Sequence, residues 1–266
     1  MEDVSRLLKF VSENIWPLIT LVALILFRKP LSTILMKMTT LNLKAGRVSL
    51  KTEFSRHVSA EIAEVLVRNP DLVKLDGERR LLTIVYLEFQ DIDVASERLT
   101  PEYVIQVLRQ YSIAMIDVIF EFGGTLDRYT GRTLIAYWGA PITYEDPAER
   151  ACKAALKMIE KGKLRPATLK QHDWRHRPCI AITTGNLIIG NLGSKEHPNY
   201  SIMGEILNIL PALCSLNREH SAEILMTEYT RAHISDKFKT RLLSEAGPIR
   251  VKGKEFPIDV YELLQR

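Results

Sequence analysis

The sequence predicts an α+β domain, a mixed sheet covered by helices, behind an apolar N-terminal segment that reads as a membrane anchor. Three observations predict it. From residue 80 onward, apolar patterns follow the order strand, helix, hairpin, helix, strand. The chain has 266 residues, enough for one ordinary domain plus extras or for two small domains. Its charge is also unevenly divided. Residues 1–51 hold eight Lys/Arg against three Asp/Glu, which accounts for all of the net charge of +4.

A basic patch beside an apolar segment points to a membrane surface and away from a nucleic-acid groove in the globular part. With 46% apolar and 26% charged residues, the chain is neither disordered nor fibrous. Cys152, Cys179 and Cys214 are too few and too scattered for a secreted disulfide framework or a zinc cluster. They read as three reduced core thiols.

No charge occurs from Asn14 to Phe27. That run is short against the ~20 residues that cross a bilayer core, and extension back to Phe10 takes in Glu13 near the interface. Pro17 lies early, where a helix tolerates it, Trp16 suits an interfacial position, and Arg28 and Lys29 can snorkel at the other end. The Met-Glu-Asp start and the lack of a small-x-small site argue against a cleaved signal peptide. Leu18 to Phe27 is apolar on every face apart from Thr20, unlike a core helix. Arg28 to Lys51 carries six basic residues and no acidic one, so the positive-inside bias puts the remainder in the cytoplasm, with a single span in the inner membrane. The expected organisation is an anchor with the start of a juxtamembrane helix over 1–36, a basic juxtamembrane segment and connecting helix over 37–79, and a globular domain over 80–266.

Leu31, Ile34, Leu35, Met38 and Leu41 have helical spacing, with Lys37 and Lys44 free to face lipid headgroups, and Gly46 ends that helix. Arg47 to Phe54 alternates as a short strand would. Ser55 to Arg68 returns to helical spacing through Val58, Ile62, Val65 and Leu66, and Asn69-Pro70 stops it. Pro70 to Arg80 reads as a linker. Residues 81–89 read as a buried strand. Thr100-Pro101 caps a long helix with an apolar stripe of Val104, Leu108, Tyr111, Met115, Val118 and Ile119, which Gly123-Gly124 breaks. Thr125 to Thr130 and Thr133 to Trp138 flank Gly131 as a hairpin. Asp146, Pro147 and Glu149 open the next helix. A second hairpin is expected over Cys179 to Asn191, turning at Thr184-Gly185-Asn186. A helix follows over Gly204 to Leu216, and short strands close near Ile249 and Val260.

Four stretches carry a resemblance: strand 82–89, Glu121-Phe-Gly-Gly-Thr-Leu-Asp-Arg-Tyr-Thr-Gly131, Tyr137-Trp-Gly-Ala-Pro with Glu145-Asp-Pro-Ala-Glu-Arg150, and Thr184-Gly185 through Gly190-Asn-Leu-Gly-Ser194. With Val251-Lys-Gly-Lys and Val260-Tyr-Glu-Leu263, they resemble the catalytic domain of class III adenylate/guanylate cyclases, in its bacterial branch. The resemblance runs in unbroken order over roughly residues 80–263. It implies a ferredoxin-like cyclase fold and a composite site shared by two chains.

In that family two aspartates on neighbouring strands hold two divalent ions, which activate the ribose hydroxyl and neutralise the triphosphate. The resemblance puts the first at Glu88 and the second at Arg132. A guanidinium cannot ligate metal, and ~4 Å from a dication it would add roughly 8 kcal/mol of repulsion at an effective dielectric of ~20. The phosphate-cradling turn is Gln90-Asp91-Ile92-Asp93, without glycine and with two anions. The base-reading lysine falls at Arg128, which keeps the charge but changes its shape. Its polar companion falls at Ser201, the ribose asparagine at Asn208, the transition-state arginine at Ala212, and a basic phosphate contact at Cys179.

The expectation is therefore a membrane-anchored pseudo-cyclase, a signalling or assembly module without turnover. Alternatives are an active cyclase acting on ATP or GTP, a sensor that binds nucleotide without converting it, and a membrane oligomer or pore that the cyclase fold gates. No cofactor is expected, magnesium or manganese entering only if activity remains. Expected partners are a second copy or another cyclase-fold chain, membrane lipid and a nucleotide, and no nucleic acid.

Overall fold

A computed structural model describes Ser5 and residues 57–69, 77–90, 92–163, 178–192, 199–243, 249–251 and 254–265. The chain divides into Met1–Thr52 and Glu53–Arg266, and all the described residues except Ser5 lie in the second unit. The predicted anchor, juxtamembrane helix and strand 47–54 fall outside the described residues.

Helix α1 (Ala60–Arg68) precedes the long strand β1 (Glu78–Phe89), and α2 (Ile92–Arg98) leads into α3 (Pro101–Glu121). The hairpin strands β2 (Thr125–Tyr129) and β3 (Thr133–Trp138) are followed by α4 (Pro147–Lys163) and β4 (Pro178–Asn191). Next come β5 (Tyr200–Met203), a 3-10 turn (Glu205–Ile209), α5 (Leu210–His220), β6 (Ile224–Thr227) and the short α6 (Glu228–Arg231). The chain closes with β7 (Thr240–Leu242), the separate hairpin of β8 (Ile249–Val251) and β9 (Lys254–Phe256), and β10 (Val260–Leu263).

The main sheet has the order β2-β3-β1-β4-β6-β10-β7, with β5 added to β4. β1 pairs antiparallel with β3 and β4, whereas β4 and β6 run parallel, so the sheet is mixed as predicted. One face packs on α3 and α4. Val85, Leu87 and Phe89 of β1 meet Met115, Val118 and Ile119 of α3 and Ala151, Ala155 and Met158 of α4 in one buried cluster. The start of α3 is as expected, with Thr100 capping the Tyr103 N–H and Pro101 in the first turn. Among the described residues α3 is also the one helix long and apolar enough to cross a membrane. Its buried face of Val104, Val107, Tyr111, Met115, Val118 and Ile119 accounts for that apolarity as core packing.

Four expectations are corrected. The second hairpin does not form: Pro178–Asn191 is one continuous strand that pairs with β1 from Pro178 to Ile189, Gly185 opposite Leu82. Gly185 serves a close approach instead of a turn, since a Cβ there would meet Ile206 Cδ1 at 2.9 Å. The return occurs later, where β5 pairs with the end of β4 through Ile188↔Met203. β1 starts at Glu78 and so takes in residues read as linker. Val58 and Leu66 are buried as predicted, but Val65 is 42% exposed. Finally, Cys179 and Cys214 are joined by a disulfide, which leaves Cys152 as the free thiol.

Candidate functional site

The β2–β3 hairpin places the decisive side chain. Gly131 has φ +82°, a left-handed conformation that glycine adopts without strain, and open space surrounds its Cα. The Thr130 N–H donates to the Thr133 carbonyl across this two-residue turn. Arg132 follows, and its carbonyl accepts from the Phe89 N–H at 2.9 Å, which holds it beside the end of β1.

From there the guanidinium reaches two carboxylates. Nε donates to Glu88 Oε1 at 3.0 Å, Nη2 lies 3.0 Å from the same oxygen, and Nη1 donates to Asp93 Oδ2 at 2.8 Å. The Tyr86 hydroxyl donates to Glu88 Oε2 at 3.5 Å. Burial works against the charge of Arg132, but the hydrogen bond to Asp93 and the charges of Glu88 and Asp93 outweigh it and raise its pKa. Burial, then the Glu88 charge and hydrogen bond, push the Tyr86 hydroxyl up to about 12. The group is partly open: the Arg132, Glu88 and Asp93 side chains are 40%, 19% and 79% exposed.

This donor set does not fit a divalent ion. A cation already occupies Glu88 Oε1, and the neighbouring position supplies positive charge where a second carboxylate would be needed. Among the described residues there is no group of three or more His, Cys, Asp or Glu side chains able to hold a metal. The sequence singled out Asp93 as a repeller of phosphate but missed its pairing with Arg132. Asp91 lies outside the described residues.

Beside this cluster opens a cavity of about 980 Å³, lined by Tyr86, Asp127, Arg128, Asn208, Ala212 and Ser215 among others. It brings Arg128 of β2 together with Asn208 of the 3-10 turn and Ala212 of α5. Ser201 is differently placed. It is buried, and its hydroxyl donates to Asp127 Oδ1 at 2.6 Å, an oxygen that also accepts from the Ile202 N–H at 3.2 Å. Asp127 reaches this position because the β2–β3 register shifts between Leu126 and Arg128, and such a bulge re-aims a side chain. Nothing in the sequence pattern marked that bulge. Cys179 is buried in its disulfide and offers no phosphate contact.

A second groove of about 690 Å³ lies between α4 and the segment around Phe238. Two of its lysines are already paired, Lys153 with Glu149 and Lys157 with Glu160.

The fold and the cavity define a class of protein. The crystal structure of the adenylyl cyclase CyaB from P. aeruginosa superposes with a TM-score of 0.62 at 25% identity, covering 71% of this chain and 96% of that one. That of the guanylyl cyclase Cya2 gives 0.57 at 25% identity, covering 70% and 93%. Adenylate cyclase 1 of Rhizobium meliloti is 27% identical over 187 residues, which is 70% of this chain and 28% of that protein. An uncharacterized protein of Mycobacterium tuberculosis is 22% identical over 211 residues, 79% of this chain and 38% of that one. The chain thus spans well under half the length of these curated relatives. No family profile matches it. The chain carries a domain of the class III cyclase-homology fold.

Proposed function

We propose that the chain is a membrane-anchored pseudo-cyclase, a cyclase-homology module for signalling or assembly that does not turn nucleotide over. One observation supports this above the rest: Arg132 sits at the position the resemblance gives to the second metal aspartate and binds Glu88, at the position of the first. A built-in monovalent cation balances Glu88 without offering the two-ion geometry that would activate a hydroxyl. Ala212 at the transition-state position supports the same reading, since a methyl group cannot stabilise charge on a reacting phosphate. The anchor is supported by the uncharged run Asn14–Phe27 and the basic stretch after it. The partner is a second cyclase-fold chain, in keeping with a Blastocladiella emersonii guanylyl cyclase domain described as dimeric.

The test is an assay of full-length protein in detergent with ATP or GTP and magnesium or manganese. No cyclic product should form above a boiled control. Turnover lost on Glu88→Gln would overturn the proposal in favour of an active cyclase.

The cavity favours a second reading, a nucleotide sensor, because Arg128 and Asn208 still face a space of about 980 Å³. Calorimetric titration with ATP or GTP, without divalent metal, distinguishes the two. Binding that Asn208→Ala weakens would establish the sensor.

A further inference from the structure

The Cys179–Cys214 disulfide joins β4 to α5, with its Cα atoms 5.7 Å apart and both residues buried. Cys179 stands directly opposite Glu88 in the β1–β4 register. Cys214 lies between Ala212 and Ser215, both of which line the cavity. The bond therefore fastens the helical wall of the cavity to the strand beside Glu88. Asn217, nearly one turn further along α5, donates through Nδ2 to Cys179 Sγ at 3.1 Å and to the Ile180 carbonyl at 3.0 Å. Its Oδ1 is buried without a hydrogen-bond partner. An N–H aimed at sulfur favours the thiolate. Cys152, by contrast, is a buried thiol pushed up to about 12 by its burial, and it is chemically quiet.

We propose that the Cys179–Cys214 disulfide is a reducible clamp on α5 that fixes the cavity wall when oxidised and releases it when a dithiol reductant opens the bond. The clamp rests on the reading above only in taking the cavity as the working site, and it holds whether or not nucleotide is turned over. One thiolate of the reductant attacks Cys214 Sγ and forms a mixed disulfide. The Cys179–Cys214 bond breaks, and its electron pair leaves on Cys179 Sγ, next to the Asn217 N–H. The second thiol of the reductant loses its proton to solvent and attacks the reductant's own sulfur in the mixed disulfide. This frees Cys214 as a thiolate, which solvent protonates, and the reductant departs as a disulfide after giving two electrons. Both protein sulfurs are buried, so the attack requires α5 to lift and is slower than at an exposed disulfide. In the cytoplasmic location that the sequence predicts, disulfides are characteristically transient and redox-sensing.

The test uses the full-length chain purified without reductant. Denatured in N-ethylmaleimide, it should take up one label per chain, at Cys152, and three after dithiothreitol. In the native protein, dithiothreitol should speed amide exchange over residues 205–220 by about tenfold or more and leave β1 and β3 unchanged. Cys214→Ser should exchange fast without reductant, and Cys152→Ser should keep the full response. Three labels before reduction would overturn the proposal, as would unchanged exchange over 205–220. Exchange that rises equally in β1 and β3 would also overturn it, since that marks a global staple and no local clamp. Reduction of the unmodified chain supplies this readout even if Cys214→Ser does not fold. Neither label count nor exchange depends on turnover, so failure here is distinct from failure of the pseudo-cyclase reading.

Discussion

The cluster at the end of β1 and the cavity beside it treat their polar groups differently. At the β1 end, Glu88, Arg132, Asp93 and Tyr86 answer one another, anion to cation and hydroxyl to carboxylate. In the cavity, Asn208 and Arg128 are exposed on a wall that also includes Glu205, Leu207, Pro211, Ala212 and Ser215. A neutral residue at position 132 would leave Glu88 and Asp93 without the cation that both now bind. An arginine instead keeps the local charge balanced and the hairpin tied to β1. The β1 cluster is thus charge-balanced by itself, whereas the cavity presents an exposed Asn208 and an Arg128 whose neighbouring anion, Asp127, stands 4.0 Å away.

The largest test of this contrast is Gly185→Val. The branched side chain meets the terminal methyl of Ile206, which must turn aside, and this should cost about 1–3 kcal/mol. In a thermal melt the midpoint should fall by several degrees, while the hydrogen-bonded group at Glu88 stays intact. An unchanged midpoint would mean that the α5 wall is loosely held.

Arg132→Ala should have a smaller effect, a loss of up to about 1 kcal/mol, because solvent screens the pair with Asp93. The loss should shrink in 1 M salt, measured by urea denaturation. In Arg132→Asp, manganese binding should appear by calorimetry, with none in the parent, because Glu88 then faces a second carboxylate. If neither variant gains any affinity for the ion, the guanidinium is not what excludes it.

The smallest effect concerns alkaline pH. Tyr86 titrates near 12 in the folded chain against 10 when exposed, so the unfolded chain releases its proton first. Its contribution is complete below pH 10 and is lost as the pH rises from 10 to 12. Melting midpoints across that window should fall less steeply in Tyr86→Phe. Identical slopes would place the alkaline sensitivity in the more deeply buried Tyr137 and Tyr200, whose hydroxyls burial also raises.

Much of the domain was legible because local signals agreed with one another. Thr100-Pro101 marked the start of α3, the stripe from Val104 to Ile119 marked its buried face, and Gly131 marked the hairpin that delivers Arg132. Thr184-Gly185-Asn186 misled, because glycine in a strand allows close packing as well as turning, and only the position of Ile206 separates the two uses. β6 went unread because four residues, Ile224–Thr227, are too few to show a period. The identities at Glu88, Arg132 and Ala212 were readable, but the Asp93 and Asp127 partnerships were not. Asp93 depends on how α2 leaves β1, and Asp127 depends on a bulge without a sequence signature.

His57 stands at the edge of the sheet and grips β2 from both sides of one residue. The Leu126 N–H donates to the His57 carbonyl at 2.6 Å, and His57 Nδ1 lies 2.7 Å from the Leu126 carbonyl. This pair covers part of a strand edge that would otherwise be open to pairing with another chain. Its two contacts fall on Leu126, one residue from the bulge at Asp127 and two from Arg128. The hairpin that His57 holds in this way is the one that carries Arg132 to the end of β1.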